Sequence, residues 1–162
     1  MLKQHTSIEF AIPSDAVEIA LLSKNDIEHG LGWKYTPQRV VKLMGERSKN
    51  LVVARIESRL VGFGMMTYYA EQANLDLLAV KRNYRRMKIG SQIVLWLEKV
   101  AQTAGSYTIY VQVRSRNTEA IKFYQSLGFL FIDEQRGFYQ GVETGLIMAK
   151  RLRPLFSPSW QD

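Results

Sequence analysis

Residues 77–98 read LLAVKRNYRRMKIGSQIVLWLE and carry the clearest structural signal in the chain. The nearly unbroken apolar run over residues 75–80 is typical of a central strand that is buried on both faces. After the basic stretch, Ile89, Ile93 and Leu97 recur at helical spacing and predict an amphipathic helix. The sequence therefore predicts a buried strand that leads through a turn into a long helix.

The turn between this strand and this helix holds the densest positive charge in the sequence. Five residues in eight are basic, namely Lys81, Arg82, Arg85, Arg86 and Lys88. The turn ends near Gly90, where the free backbone N–H groups of a helix start and the positive end of its dipole come together. Such a turn predicts a phosphate-binding site that guanidinium groups strengthen. A solvated basic turn is the alternative interpretation.

The rest of the chain predicts further strands and helices around this unit. Residues 107–113 alternate between apolar and polar, as in a strand, and residues 117–127 predict a short helix closed by Gly128. Further strands are predicted over residues 8–12, 50–57, 60–69, 129–133 and 139–150, and helices after Pro13 and at Thr36-Pro37. We expect one mixed α/β domain over residues 1–150, followed by a tail or docking arm over residues 151–162.

The composition excludes several classes of site. The 162 residues include no cysteine and two histidines, so disulfides and thiolate chemistry are excluded and a metal site is not expected. The N-terminus lacks the apolar segment of a secretory signal, and no apolar run reaches the length of a membrane span, so we expect a cytoplasmic protein. The net charge of +7 predicts an anionic partner, for example a phosphorylated small molecule or a nucleic acid.

Residues 77–98 resemble the acetyl-CoA loop of the GNAT N-acetyltransferases, whose pattern is R/Q-x-x-G-x-G/A. Arg85 and Gly90 match this pattern, whereas Lys88 stands where the first glycine is expected. Glycine lets the backbone approach a phosphate closely. Lysine keeps its backbone N–H and adds a charge, so we expect cofactor binding to persist.

Two further blocks support the resemblance. NTEAIKFYQSLGF, residues 117–129, resembles the family segment N-x-x-A-x-x-x-Y-x-x-x-G-F. GFYQGVETGLIM, residues 137–148, is similar to the last strand of ribosomal-protein alanine N-acetyltransferases, in which a Y-Y pair precedes an E-D-A-x-x-M stretch. Phe138, Thr144 and Gly145 depart from that pattern. The three blocks occur in the family's order.

The resemblance implies a mixed, mostly antiparallel sheet with helices on both faces and a splayed central strand pair. The pantetheine arm of acetyl-CoA would lie in the gap, where a backbone N–H would stabilise the developing oxyanion. The implied acetyl-CoA contacts are Leu78, Ala79, Val80, Arg85, Arg86, Met87, Lys88, Ile89, Gly90, Ser91, Asn117 and Tyr124. Asn117 has a second interpretation as a helix N-cap.

The resemblance also implies a general acid but not a base. Tyr124 matches the family's acid, because a phenol with a pKa near 10 can protonate a departing thiolate, and packing against the sheet is its alternative role. Gln112 stands where relatives carry a glutamate, and an amide cannot accept the proton. Asp76, Glu71 and Glu143 are substitutes by location alone.

The missing glutamate favours an acceptor amine of low basicity. An α-amine is about a tenth neutral at pH 7, whereas a lysine amine is neutral only to a few parts in ten thousand. We therefore expect acetyl transfer to a primary amine, such as the α-amine of a peptide or a small molecule. The expected acceptor pocket contains Trp33, Tyr35, Tyr69 and Tyr139.

Three further points stay open on the sequence. A catalytically idle acyl-CoA sensor is one alternative, because Gln112 and Lys88 both depart from the family pattern. A basic nucleic-acid-binding domain is another, although the basic cluster contains only one aromatic residue, Tyr84, and occupies a turn. A homodimer is a further expectation that the sequence does not decide.

Overall fold

The computed structural model describes residues 4–141 and 143–152, and within them seven strands form one sheet flanked by four α-helices. The strands are β1 (Thr6–Phe10), β2 (Lys49–Ile56), β3 (Arg59–Tyr68), β4 (Gln72–Val80), β5 (Thr108–Arg114), β6 (Leu130–Tyr139) and β7 (Glu143–Arg151). The helices are α1 (Ala16–Leu22), α2 (Pro37–Met44), α3 (Ile89–Thr103) and α4 (Thr118–Ser126). None of these helices is long and apolar enough to cross a membrane. Residues 153–162 of the expected tail lie outside the described residues.

The strands lie in the order β1-β2-β3-β4-β5-β7-β6 across the sheet. Every neighbouring pair is antiparallel except β4 and β5, which run parallel. A parallel pair needs a long crossover connection, and α3 with the basic turn supplies it. The expected mixed, mostly antiparallel sheet is confirmed.

Helices cover both faces of the sheet, so two separate cores form. Ile93 and Leu97 of α3 are fully buried in the first core, as their spacing predicts. Ile19 of α1 and Val40 of α2 are buried in the second core. Helix α3 lies close against β3, since a β-carbon at Gly64 would stand 2.7 Å from Ile93 Cγ2. This close contact fixes the start of α3 beside the end of β4.

Strand β4 contains a β-bulge that the sequence pattern does not reveal. Met66 pairs with Leu75 and Met65 pairs with Leu77, so Asp76 is the extra residue on β4. Because of the bulge, Leu75 packs in the first core whereas Leu77, two residues later, packs in the second. A bulge changes the direction in which neighbouring side chains point, and bulges are frequent beside active sites.

Strands β4 and β5 separate at their C-terminal ends. Their last pair is Leu75 with Val111, yet β4 continues to Val80 and β5 continues to Arg114. In the part of the chain that the structure describes, the two strands exchange no ladder pairs beyond this point. The expected splayed pair is confirmed, and the gap opens toward the basic turn.

The boundary between the last two strands differs from the prediction, which started the final strand at Tyr139. Strand β6 runs on to Tyr139, and the turn lies at Gln140 and Gly141, which have φ values of 54° and 74°. Gly137, with a φ of 67°, sits inside a register shift of the hairpin instead of ending the strand. Tyr139 is therefore close to the hairpin tip.

Candidate active site

A cavity of about 610 Å³ lies where β4 and β5 separate. Its walls come from both strands, from α4, from the segment between α1 and α2, and from the β6–β7 hairpin. We call residues 23–36 the lid segment and residues 138–141 the hairpin tip. A sheet that opens at one end thus produces a site bordered by separate parts of the chain.

The turn before α3 presents an unbroken row of free backbone donors. The backbone N–H groups of residues 86–91 have no hydrogen-bond acceptor within the described residues. The first amide of α3 that has an acceptor is that of Gln92, which donates to the carbonyl of Lys88 at 3.1 Å. We call residues 86–91 the amide turn. Arg86 and Lys88 have φ values of 64° and 61°, so two left-handed residues alternate with residues of negative φ. Successive N–H groups in such a turn form a concave anion site.

The side chains of the basic turn divide into two groups. Lys81 pairs with Glu18 at 2.8 Å, and Arg85 approaches Asp26 at 3.3 Å while also donating to the Val80 carbonyl at 3.2 Å. The remaining three cations make no ion pair within the described part of the chain; they are Arg82, Arg86 and Lys88. The amide turn therefore keeps unneutralised positive charge beside its free N–H groups.

Gly90 matches the family pattern for a steric reason that the structure makes plain. A β-carbon at Gly90 would lie 3.2 Å from Cζ of Phe123 on α4. Glycine thus lets the first turn of α3 pack against α4. Three further expected acetyl-CoA contacts, Met87, Ile89 and Ser91, contribute backbone N–H groups to the amide turn. The side chain of Ile89 is buried in the core.

Tyr124 lies on α4 at the base of the cavity. Its ring contacts those of Phe123 and Phe129, with centroids 5.2 and 5.4 Å away, and the residue is 7% exposed. Burial, together with the nearby Tyr139, raises the pKa of Tyr124 well above its usual value. Its hydroxyl has no hydrogen-bond partner in the described chain. Because this oxygen is not completely buried, it faces the cavity that Tyr124 lines.

The remaining expected cofactor contacts border the same space in different ways. Leu78 and Asn117 line the cavity. Asn117 caps α4, since its Oδ1 accepts from Ala120 N at 3.1 Å, which leaves its amide NH₂ available. The Ala79 side chain faces the second core and Val80 is half-buried, so these two residues offer mainly backbone groups.

Asp76 is the carboxylate that the bulge brings to the cavity. It accepts a hydrogen bond from the Thr67 hydroxyl, which in turn accepts from Lys49 Nζ at 2.7 Å, and Lys49 Nζ lies 3.9 Å from the carboxylate itself. Burial outweighs these contacts and raises the pKa of Asp76. Glu71 is exposed in the turn before β4 and does not line the cavity.

The expected acceptor residues are only partly brought together. Tyr35 and Tyr139 line the cavity, and burial raises the pKa of both phenols, that of Tyr139 to about 12. Trp33 is 37% exposed and its ring lies beside Lys24. It does not line the cavity itself, although the nearby Leu31 and Lys34 do. Tyr69 is 54% exposed in the β3–β4 turn and lies outside the cavity lining.

Three polar residues of the site were not identified from the sequence. The first is Glu28, which is 6% exposed and organises the lid segment. Its carboxylate accepts from the backbone N–H of Lys34 at 2.6 Å and of Tyr35 at 3.1 Å, and from the Ser23 hydroxyl at 3.0 Å. A glutamate in an otherwise polar loop carries no pattern that would single it out.

The other two are Arg114 and Gln140, which connect the lid segment to the hairpin. Arg114 forms a bidentate ion pair with Glu143 and donates hydrogen bonds to the carbonyls of Ile27 at 3.1 Å and His29 at 2.6 Å. Gln140 accepts from Gly32 N at 2.7 Å and donates to Gly32 O at 2.9 Å. We call Arg114 and Gln140 the clasp. The contacts with the lid segment join residues more than 80 positions apart, which local sequence patterns do not encode.

Known proteins resemble this chain in sequence and in fold. The ribosomal protein bS18-alanine N-acetyltransferase of Salmonella typhimurium is 32% identical over 108 residues, covering 65% of this chain and 72% of that protein. Ard1 from Thermoplasma volcanium superposes with a TM-score of 0.81 at 23% identity, over 91% of this chain and 98% of that one. The PaiA N-acetyltransferase of Thermoplasma acidophilum, solved with coenzyme A, superposes with a TM-score of 0.78 at 21% identity. The match covers 91% of this chain and 99% of that one. Both solved structures have the same fold.

The sequence model of the acetyltransferase (GNAT) family matches residues 20–129. The matched region runs from α1 to the residue before β6 and includes the splayed strands, the amide turn and Tyr124. Relatives named as N-acetyltransferases match over 108 and 110 residues, about two thirds of the chain. The chain therefore belongs to the GNAT family of acetyltransferases, and it transfers the acetyl group of acetyl-CoA to an amine.

Proposed function

We propose that the enzyme acetylates the α-amine of a peptide N-terminus, with Tyr124 as general acid and Asp76 as general base. The observation that carries this proposal is the cavity itself, which Asp76 lines from β4 and Tyr124 lines from α4. Acetyl-CoA, when bound, supplies the thioester carbonyl that the amine attacks. Every other role falls to residues of this chain.

The donor fits the site by its charge and by its hydrogen-bonding groups. Six consecutive backbone N–H groups in the amide turn match the oxygens of a diphosphate, and Arg82, Arg86 and Lys88 add unpaired positive charge. The unpaired edges of β4 and β5 match the amides of a pantetheine arm, as strand edges bind extended ligands. This fit supports the cofactor contacts expected from the sequence.

Tyr124 suits the role of acid because it holds its proton. Since burial raises the pKa of Tyr124, the phenol stays protonated at neutral pH and cannot serve as a base. Its free hydroxyl can donate to the leaving sulfur as the bond to the carbonyl carbon breaks. The ring contacts with Phe123 and Phe129 hold that hydroxyl in one orientation.

Asp76 suits the role of base because burial moves its pKa up toward neutrality. A carboxylate with a raised pKa is a better proton acceptor than an exposed aspartate. The Thr67 hydroxyl fixes its orientation, and the charge of Lys49 favours its ionised form. Gln112 also lines the cavity, where its amide can bind a substrate but cannot take a proton.

An α-amine fits this base better than a lysine side chain does. An acceptor with a pKa near 8 loses its proton to a carboxylate at a much lower energetic cost than one near 10.4, a difference of about 3–4 kcal/mol. The relatives named as alanine and N-terminal acetyltransferases act on such amines. We place the acceptor between Tyr35 and Tyr139, on the far side of the cavity from the amide turn.

Tyr124→Phe tests the mechanism. We expect kcat for an N-terminal peptide to fall by about 10² or more, while the affinity for acetyl-CoA stays within about twofold. Thiol release and calorimetry measure the two quantities. Tyr107→Phe is the matched control, because Tyr107 is exposed and lies outside the cavity. Equal turnover by Tyr124→Phe and the wild type would remove Tyr124 from the chemistry.

Three expectations from the sequence stay predictions. The sequence predicts an acetyltransferase domain over residues 1–150 and a tail over residues 151–162; because β7 ends at Arg151 and Leu152 is buried in the first core, we propose that the domain includes these two residues. We also propose a cytoplasmic location, which suits an enzyme that draws on acetyl-CoA and lacks cysteine. A homodimer stays a prediction that sedimentation of the full chain would test.

A further inference from the structure

Three cations on the lid segment and the start of α2 border the acceptor side of the cavity. Lys24 Nζ lies 4.8 Å from the ring centroid of Trp33, and Lys34 Nζ lies 5.7 Å from that of Tyr35. Arg39 Cζ lies 5.2 Å from the same Tyr35 ring. We call these three cations the cationic rim. Lys34 and Tyr35 also line the cavity, so the rim lies beside the acceptor's path into the site.

The rim keeps its full positive charge. None of the three cations forms an ion pair with another residue that the structure describes, whereas Lys49, Lys81 and Arg85 all do. The two acids nearest in the chain are already engaged: Asp26 faces Arg85, and Glu28 accepts backbone N–H groups. All three rim side chains are exposed, so their charge acts on an approaching ligand.

The inside of the cavity carries charges of both signs. The carboxylates of Asp76, Glu28 and Glu143 line it, together with the guanidinium groups of Arg114 and Arg116. Burial raises the pKa of Asp76, whereas the Arg114 guanidinium lowers the pKa of Glu143, so Glu143 stays ionised at neutral pH. An approaching molecule therefore meets unpaired positive charge at the entrance and carboxylates inside the cavity, of which Asp76 and Glu143 also face Lys49 and Arg114.

We propose that the acceptor is a peptide whose N-terminal ammonium is followed, within its first few residues, by acidic side chains. This proposal rests on the proposed function and names its substrate class. The ammonium group is attracted to the inner carboxylates, while carboxylates a few residues along, at about 3.3 Å per extended residue, face the rim. Basic peptides and polyamines are repelled by the same rim.

The test compares three peptides of equal length with the same N-terminal residue and acidic, neutral or basic side chains at positions two to five. We expect kcat/KM for the acidic peptide to exceed that for the basic peptide by about tenfold at low salt, since each exposed charge pair contributes about twofold to fivefold. The ratio is expected to shrink toward one at about 0.5 M salt, because the rim is exposed to solvent. Thiol release with saturating acetyl-CoA measures each rate.

Charge-neutralising variants assign the effect to the rim. Lys34→Gln and Arg39→Gln are each expected to lower the acidic-to-basic ratio by about threefold. Lys99→Gln, which removes an exposed lysine from α3 away from the cavity, is the matched control and is expected to leave the ratio unchanged. A ratio that falls equally in all three variants would overturn the proposal.

The remaining outcomes separate this inference from the proposed function. No transfer to any of the three peptides would defeat the proposed function itself. Transfer to all three with equal kcat/KM at both salt concentrations would defeat the rim inference alone, as would a preference for the basic peptide. Inhibition by a single-stranded RNA oligomer below the KM of the acidic peptide would assign the rim to nucleic acid instead and would also overturn the inference.

Discussion

Lys88 adopts a backbone conformation that side chains with a β-carbon rarely tolerate. Its φ of 61° lies in the left-handed region, at the position where the family pattern has glycine. We expect Lys88→Gly to have a free energy of unfolding about 1 kcal/mol higher than Lys88→Ala, because only glycine adopts this conformation without strain. Urea unfolding of the two variants measures the difference.

Gln92 supplies the control for this comparison. It is an exposed residue in the first turns of α3, where the backbone is helical. The free energy of unfolding of Gln92→Ala should therefore exceed that of Gln92→Gly by roughly 1 kcal/mol, which is the reverse of the order at Lys88. The same sign at both positions would contradict the strained conformation of Lys88. The sequence identified Lys88 as a departure from the pattern but gave no measure of its backbone strain.

Asp76 should make both stability and activity depend on pH. Because burial raises its folded-state pKa above the unfolded value, the folded state binds this proton more tightly. The stabilisation from Asp76 is thus complete below about pH 4 and is lost as the pH rises through the folded-state pKa. The unfolding free energy of the wild type, relative to Asp76→Asn, should therefore fall from pH 4 to pH 7.

The same variant tests the proposed base. Asp76→Asn is expected to lower kcat for an N-terminal peptide by about 10² at pH 7, since an amide cannot accept the proton. Glu71→Gln is the matched control, as Glu71 is exposed and lies outside the cavity. A stability difference that rises with pH would refute the raised pKa, whereas undiminished turnover would refute the role as base.

At the scale of elements, the site depends on two segments that are far apart in the chain. The clasp joins the lid segment to β5 through Arg114 and to the hairpin tip through Gln140. Gln140 has a φ of 54°, so its pairing with Gly32 holds a left-handed residue in place. Such strain persists where the surrounding contacts over-determine it, and it is frequent at functional sites.

Gln140→Ala should loosen the acceptor side of the cavity and leave the donor side intact. We expect KM for an N-terminal peptide to rise by about threefold to tenfold, in proportion to the two hydrogen bonds lost, while KM for acetyl-CoA stays the same. Initial rates with each substrate varied in turn measure both constants. Gln135→Ala, on the exposed part of β6, is the matched control. Equal changes in both KM values would show that the clasp serves general stability instead.

Elements that depend on local signals were predictable from the sequence, and those that depend on distant contacts were not. The N-cap at Thr36 is confirmed, with its side chain accepting from Arg39 N at 3.4 Å, and α3 begins at Ile89 as expected. The bulge at Asp76 and the turn at Gln140 were missed. Both arise from pairing with another strand, which periodicity along one strand does not report.

At the scale of the whole molecule, the open end of the sheet is also its weakest junction. Four residue pairs, from Gln72–Thr108 to Leu75–Val111, join β1–β4 to the remaining three strands. The splay followed from the family resemblance, not from the hydrophobic pattern, because the apolar run over residues 75–80 reads the same whether or not a neighbouring strand is paired. A ligand that lies in the gap should therefore connect the two parts of the sheet.

Coenzyme A at about 100 times its dissociation constant should raise the free energy of unfolding by about 2.7 kcal/mol. Its protection against hydrogen exchange should cover both the amide turn and the amides of residues 76–80, because the pantetheine arm follows β4. ADP, which has a diphosphate but no such arm, is the control and should protect the amide turn alone. If ADP also protected the amides of residues 76–80, the pantetheine arm would not be required for that protection. The gap would then close by a change in the sheet itself, and the prediction would be wrong.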